Sequence, residues 1–131
     1  MTIKKFGKYP VTNPKPFPGG MSDVWIAEHP DLGTPRAIKV PHPQHVYNFA
    51  REAKRTSNLR HPNIILVHDA DFGSDPPYMV LEYLPDSVKK SLEENEKIDW
   101  ERVIEFGIDT CKALTYAHTR DVNVIHQDIK P

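Results

Sequence analysis

Proline sets the first limit on what this chain can become. Thirteen prolines occur in 131 residues, and they are unevenly spread. Pro10, Pro14, Pro16 and Pro18 crowd one stretch, PVTNPKPFPGG. Each proline removes a backbone donor and fixes φ, so this stretch makes a poor central strand. It is expected as an extended edge or an irregular lead-in. Two short apolar runs follow, SDVWIAEHP and PRAIKVP, separated by the turn-rich HPDLGTP. That pattern predicts a hairpin with a longer loop.

Next comes QHVYNFAREAKRTSNLR, where Val46, Phe49, Ala53 and Thr56 recur on one helical face with charges on the other. HPN ends it. IILVHDADF and YMVLEYL, joined by GSDPP, predict a second hairpin. After Pro85 the pattern changes. DSVKKSLEENEK reads as a short polar helix with Asp86 or Ser87 as N-cap. Asp99 is expected to cap a long helix, WERVIEFGIDTCKALTYAHTR, with Ile104, Ile108, Cys111 and Leu114/Thr115 at helical spacing. A last apolar stub, VNVIH, leads into a terminal loop. Strands, one helix, strands and then helices make an α+β chain with a segregated helical part.

Length allows one domain, or part of a larger one. Lysine plus arginine (17) nearly balance aspartate plus glutamate (18), and a net charge of −1 gives no reason to expect nucleic acid or an anionic membrane as partner. The single cysteine, Cys111, excludes an internal disulfide and a multi-cysteine metal site. No apolar run approaches the roughly 20 residues of a membrane span. The opening MTIKKFGKYP has basic residues with no apolar segment behind them, so a secretory signal is not expected and a cytoplasmic setting is.

Several residues could carry chemistry, and each has an ordinary use. GGMS at Gly19 to Ser22 could be a simple turn, Lys39 in AIKV a solvated strand lysine, and Glu52 a helix residue facing water. Asp128 and Lys130 could be loop charges without a task. Their order changes the weight of each. A Gly-rich turn, a strand lysine, a helix glutamate thirteen positions later, a hairpin ending in LEYL, a long helix and then HQDIKP follow one another. This order resembles the protein kinase family, whose catalytic loop reads H-R-D-L-K-P. The lysine two after the aspartate resembles the serine/threonine branch, and the GGM…VW wording resembles bacterial-type kinases. The resemblance runs from about Gly7 to Pro131 and covers the first half of the family's domain.

The resemblance implies a kinase-like N-lobe, an antiparallel sheet plus one αC-type helix, over about 7–84 including the hinge. The first helices of a truncated helical C-lobe follow over 85–131, ending inside the catalytic loop. It implies ATP and Mg²⁺ as cofactors and a protein hydroxyl as phosphate acceptor. Lys39, on the third strand, is implied to hold the α- and β-phosphates, and Glu52 to hold Lys39. A partly shielded Lys39–Glu52 pair is expected to be worth on the order of a few kcal/mol. Gly19 and Gly20 are implied to let backbone N–H groups approach the phosphates. Val24 and Ala37 are implied to press on adenine between the two lobes. The linker Glu82–Tyr83–Leu84 is implied to bond it through its backbone, and Leu81 to guard the pocket behind. Asp128 is implied to orient the substrate hydroxyl, Lys130 to neutralise the transferred phosphate, and His126 to orient the loop.

Departures from the family pattern carry expectations of their own. Aligned on Val24, the three glycine positions of G-x-G-x-x-G fall at Phe17, Gly19 and Ser22, so only the middle one is kept. Phe17 cannot tuck under phosphates as glycine does. Gln127 replaces the H-R-D arginine, which argues against control by a phosphorylated activation loop. Thr56 stands where the family is usually apolar. The asparagine and D-F-G aspartate that bind Mg²⁺ in the family lie beyond Pro131, so no metal ligand is expected within these residues and the stretch alone is expected not to turn over. Two functions remain open: a serine/threonine kinase present as its N-terminal half, and a non-catalytic kinase-like module that binds nucleotide or a partner. The apolar face of the long helix is expected to be exposed, favouring self-association or a missing C-terminal half as partner.

Overall fold

The computed structural model describes residues 5–94 and 97–120. They form two compact units, one made of residues up to Asn58 together with Leu66–Tyr83, the other of Leu59–Ile65 together with residues from Leu84 on. In the first unit, β1 (Lys5–Phe6) and β2 (Tyr9–Pro10) make a short hairpin. Then come β3 (Ser22–Glu28), β4 (Pro35–Pro41), a single 3-10 turn at Pro43–His45, α1 (Val46–Thr56), β5 (Val67–Asp71) and β6 (Tyr78–Glu82). The last four strands form one antiparallel sheet in the order β3-β4-β6-β5.

The proline-rich stretch from Val11 to Pro18 runs along the free edge of β3 without becoming a regular strand. Only isolated bridges form, Val11 to Ala27 and Phe17 to Val24. Pro14, Pro16 and Pro18 have no N–H to give, so the contacts come from the residues between them. Thr12 N donates to Ile26 O at 2.9 Å, and Phe17 N donates to Val24 O at 2.8 Å. The Asn13 side-chain oxygen accepts from Ile26 N at 2.8 Å, doing the work of a missing backbone partner.

Side chains alternate across a sheet, so it has two unlike faces. One carries Trp25, Ala27, Ile38, Val40, Tyr78 and Val80, and the β1–β2 hairpin closes over it with Phe6 and Tyr9. Phe6 is 3 % exposed and lies 6.0 Å from the Trp25 ring and 5.5 Å from the Tyr78 ring, centre to centre. Its full burial is worth roughly 2–3 kcal/mol. The tight turn under it needs glycine twice over: Gly7 has φ +53°, and a Cβ there would fall on the Tyr78 hydroxyl. The Tyr9 hydroxyl donates to Asp69 Oδ2 at 3.2 Å. Burial is the main cause, and the Asp69 and Asp71 carboxylates the lesser ones, that push the phenols of Tyr9 and Tyr78 above their ordinary pKa. On the other face lies α1, whose Phe49 and Ala53 are buried.

In the second unit, α2 (Val88–Glu93) starts at Ser87, whose hydroxyl accepts from Lys90 N at 3.0 Å. α3 spans Trp100–His118. Asp99 sits at its N-cap position but its side chain makes no capping bond, so the sequence expectation of a capping aspartate holds for place and not for contact. Ala113 and Ala117, one turn apart, are the buried residues of α3, while Ile104 and Ile108 are about half exposed, 51 % and 49 %. The Tyr116 hydroxyl accepts from Arg60 N at 2.9 Å and from Arg120 Nη2 at 2.7 Å. Those donors favour the phenolate and draw its pKa down.

Candidate functional site

Strand register builds the candidate site on the face opposite the aromatic core. Val24 on β3 stands opposite Lys39 on β4, and Lys39 stands opposite Met79 on β6. Two positions further along, and so on the same face, Ile26 stands opposite Ala37 and Ala37 opposite Leu81. Four of the residues singled out from the sequence, Val24, Ala37, Lys39 and Leu81, therefore share one face of one sheet. In chain order Lys39 lies on the fourth strand, not the third, because the β1–β2 hairpin adds two strands ahead of the sheet while the proline-rich stretch beside β3 forms only isolated bridges and counts as none.

Lys39 reaches across to α1. Its Nζ is 3.5 Å from Glu52 Oε1 and 5.9 Å from the centre of the Phe49 ring. The flanking strands shield the aliphatic stem, leaving 28 % of the side chain exposed, while the charge stays at the rim. Glu52 is held by helix geometry: Phe49 and Ala53 turn inward, and Glu52 sits on the border between that face and solvent. Its side chain is 60 % exposed. This corrects the expected strength of the pair. A carboxylate so open to water makes the pair a surface ion pair, worth about 0.2–1 kcal/mol and not a few. Thr56 is likewise no core residue here, because its hydroxyl donates to Glu52 O at 2.7 Å.

The Gly-rich turn sits at the end of β3. Phe17 and Val24 bond in both directions, at 2.8 and 2.9 Å, and close the loop between them. The two glycines differ in why they are glycine. A Cβ on Gly19 would come within 2.5 Å of Ser22 O, so the turn itself excludes any side chain there. A Cβ on Gly20 would meet nothing within 4 Å. Two contacts invisible in the sequence pin this turn to the segment after β4. His42 N donates to Met21 O at 2.9 Å, and His42 Nε2 lies 3.1 Å from Asp23 Oδ1. Phe49, beside Lys39, was visible only as a core position.

Leu81 is buried, at 8 %. Glu82 ends β6 with its backbone N–H on Leu66 O at 2.9 Å and its carboxylate accepting from Leu66 N at 2.8 Å, so the side chain is spent on holding its own strand end. Leu84 belongs to the second unit and is 58 % exposed. His126, Gln127, Asp128, Lys130 and the VNVIH stub lie outside the described residues. Among the described residues no cluster of three or more histidine, cysteine, aspartate or glutamate side chains could hold a metal ion. No helix among them is long and apolar enough to cross a membrane.

Comparison with known proteins follows the same line. A family model described as the protein kinase domain matches residues 18–131. The serine/threonine-protein kinase Pkn1 of Myxococcus xanthus is 32 % identical over 119 residues, which cover 86 % of this chain and 17 % of that protein. The serine/threonine-protein kinase PrkC of Bacillus subtilis is 30 % identical over 120 residues, covering 86 % and 18 %. The chain thus spans less than a fifth of the length of these curated relatives. The crystal structure of the Mycobacterium tuberculosis PknI kinase domain superposes with a TM-score of 0.75 at 24 % identity, covering 97 % of this chain and 54 % of that one. At that identity the likeness concerns the fold.

Proposed function

The chain belongs to the protein kinase domain family, and from that premise we propose that it carries the nucleotide-holding part of an ATP-dependent protein serine/threonine kinase. The observation that carries this reading is the meeting of Lys39 and Glu52 at 3.5 Å on the same sheet face as Val24, Ala37 and Leu81. Lys39 would act as a point charge on the α- and β-phosphates, and Glu52 would bias where that charge rests. Gly19 gives the turn its shape, and Gly20 leaves its backbone open to a close approach by phosphate. Val24 and Ala37 would take one face of the adenine, with Leu81 behind it and the backbone of Glu82 to Leu84 at its edge. Asp128 would orient the substrate hydroxyl and accept its proton, and Lys130 would offset charge on the phosphoryl group in flight. Mg²⁺, when bound, would neutralise phosphate charge through the asparagine and D-F-G aspartate that the family places after this stretch. Catalysis requires those segments. Residues 7–84 would be the N-lobe and hinge, and 85–131 the start of the helical lobe. A cytoplasmic setting, where ATP is abundant and Cys111 stays reduced, belongs to the same proposal.

A second reading rests on Phe17 and Ser22, which stand where the family pattern has glycine. On that reading the chain binds nucleotide or a protein partner without catalysis. Transfer of labelled γ-phosphate from Mg-ATP to a generic protein substrate separates the two, when these residues are joined to a helical lobe that supplies the family's asparagine and D-F-G aspartate. Transfer that Asp128→Asn abolishes supports the kinase. Nucleotide binding with no transfer supports the non-catalytic module.

A further inference from the structure

We infer that Phe17 determines how this site ranks its nucleotides, removing most of its preference for a nucleoside triphosphate over the bare nucleoside; the inference rests on the nucleotide site proposed above and deepens it. The two-way bond between Phe17 and Val24 makes them a directly opposed antiparallel pair, with side chains on the same face. Val24 stands in turn opposite Lys39. Phe17, Val24 and Lys39 therefore form a row on the site face, with Phe17 about two strand spacings, or roughly 10 Å, from the lysine.

The aromatic ring is not absorbed by the fold. Phe17 is 58 % exposed, whereas Phe6, on the opposite face of the same unit, is 3 % exposed. A large apolar side chain left open on the edge of a row that carries a cation has two consequences. It fills space that a bare backbone would leave between the Gly-rich turn and Lys39, and a phosphate chain must use that space to reach both. It also offers a flat apolar surface on which a base or sugar can lie. The first effect weakens triphosphate binding; the second strengthens nucleoside binding. The turn cannot easily swing away to relieve the crowding. Its backbone is tied at Met21 O by His42 N, and its far end at Asp23 by the His42 ring.

The test is calorimetric titration of the 131-residue chain with adenosine and with ATP in magnesium buffer, for wild type, Phe17→Gly and Phe17→Leu. Wild type is expected to bind the two ligands with affinities within a few-fold of each other. Phe17→Gly is expected to bind ATP about tenfold more tightly, a change of about 1.4 kcal/mol, and adenosine more weakly. Phe17→Leu keeps bulk without the ring, so ATP binding should stay weak while adenosine binding falls. Because Phe17 is exposed, neither change should alter Trp25 fluorescence, which reports folding of the unit. An ATP-to-adenosine ratio unchanged by Phe17→Gly overturns this inference and leaves the nucleotide site standing. Failure of wild type and both variants to bind either ligand overturns the inference together with the proposed site.

Discussion

Separating Lys39 from Glu52 should cost this protein little stability, despite the place of the pair at the centre of the site. At 3.5 Å, Coulomb's law in water gives about 1.2 kcal/mol between unit charges. Ordering two long side chains consumes part of that, and with Glu52 60 % exposed the solvent screens the remainder. The net coupling should be about 0.2–1 kcal/mol. A double-mutant cycle with Lys39→Met, Glu52→Gln and the double variant isolates it. Urea unfolding followed by fluorescence gives the free energies. Trp25 is 9 % exposed and Trp100 69 %, so a Trp100→Phe background makes the buried indole the reporter. The Glu52→Gln midpoint should fall by about 4 °C or less on heating. Raising salt from about 0.05 to about 0.5 M should erode roughly 40 % of the coupling, because the Debye length shrinks from about 14 Å to about 4 Å, close to the separation of the pair. A coupling above about 2 kcal/mol, or one indifferent to salt, would refute this account, since it requires a buried pair.

Other consequences follow from the same geometry. Phe6→Ala should destabilise the first unit by about 3–5 kcal/mol, seen as a lower urea midpoint; a loss under about 1 kcal/mol would mean the hairpin does not close the core. Gly19→Ala and Gly20→Ala should part company. The first should lower the melting temperature because its Cβ meets backbone. The second should leave stability within about 0.5 kcal/mol while weakening ATP binding, so equal effects on melting would count against the difference drawn between them. Tyr9 and Tyr78 hold their protons more tightly in the folded state, chiefly through burial. Their contribution is complete below the ordinary phenol pKa of about 10 and is lost as pH rises through the folded values. Unfolding read from Trp25 should therefore become easier above about pH 10, and Tyr9→Phe should flatten that dependence; an unchanged slope would contradict it.

Much of the sheet and α1 could be read from the chain because alternation and helical spacing survive in short segments. The Lys39–Glu52 meeting was foreseen through the kinase resemblance and not from spacing, since a strand lysine and a helix acid thirteen residues later could each as well face water. Pair strength was not legible, because it depends on how far the carboxylate stands in water. The β1–β2 hairpin was missed for a different reason. Strands of two residues have no period, and Gly7 is intelligible only once Tyr78, seventy-one positions away, is seen beneath it. The tie from His42 to Met21 and Asp23 likewise joins residues that no local pattern connects. The proline-rich lead-in was foreseen as irregular, but not that Asn13 would replace a backbone partner. The catalytic-loop assignments to Asp128 and Lys130 stand on resemblance.

The most direct measurement compares ATP with adenosine binding for wild type and Lys39→Met. If the sheet face bearing Val24, Ala37 and Lys39 holds a nucleotide by its phosphates, the substitution lowers ATP affinity and leaves adenosine affinity unchanged. Equal ATP binding by the two proteins, or a matching loss for both ligands, would contradict the role given to Lys39.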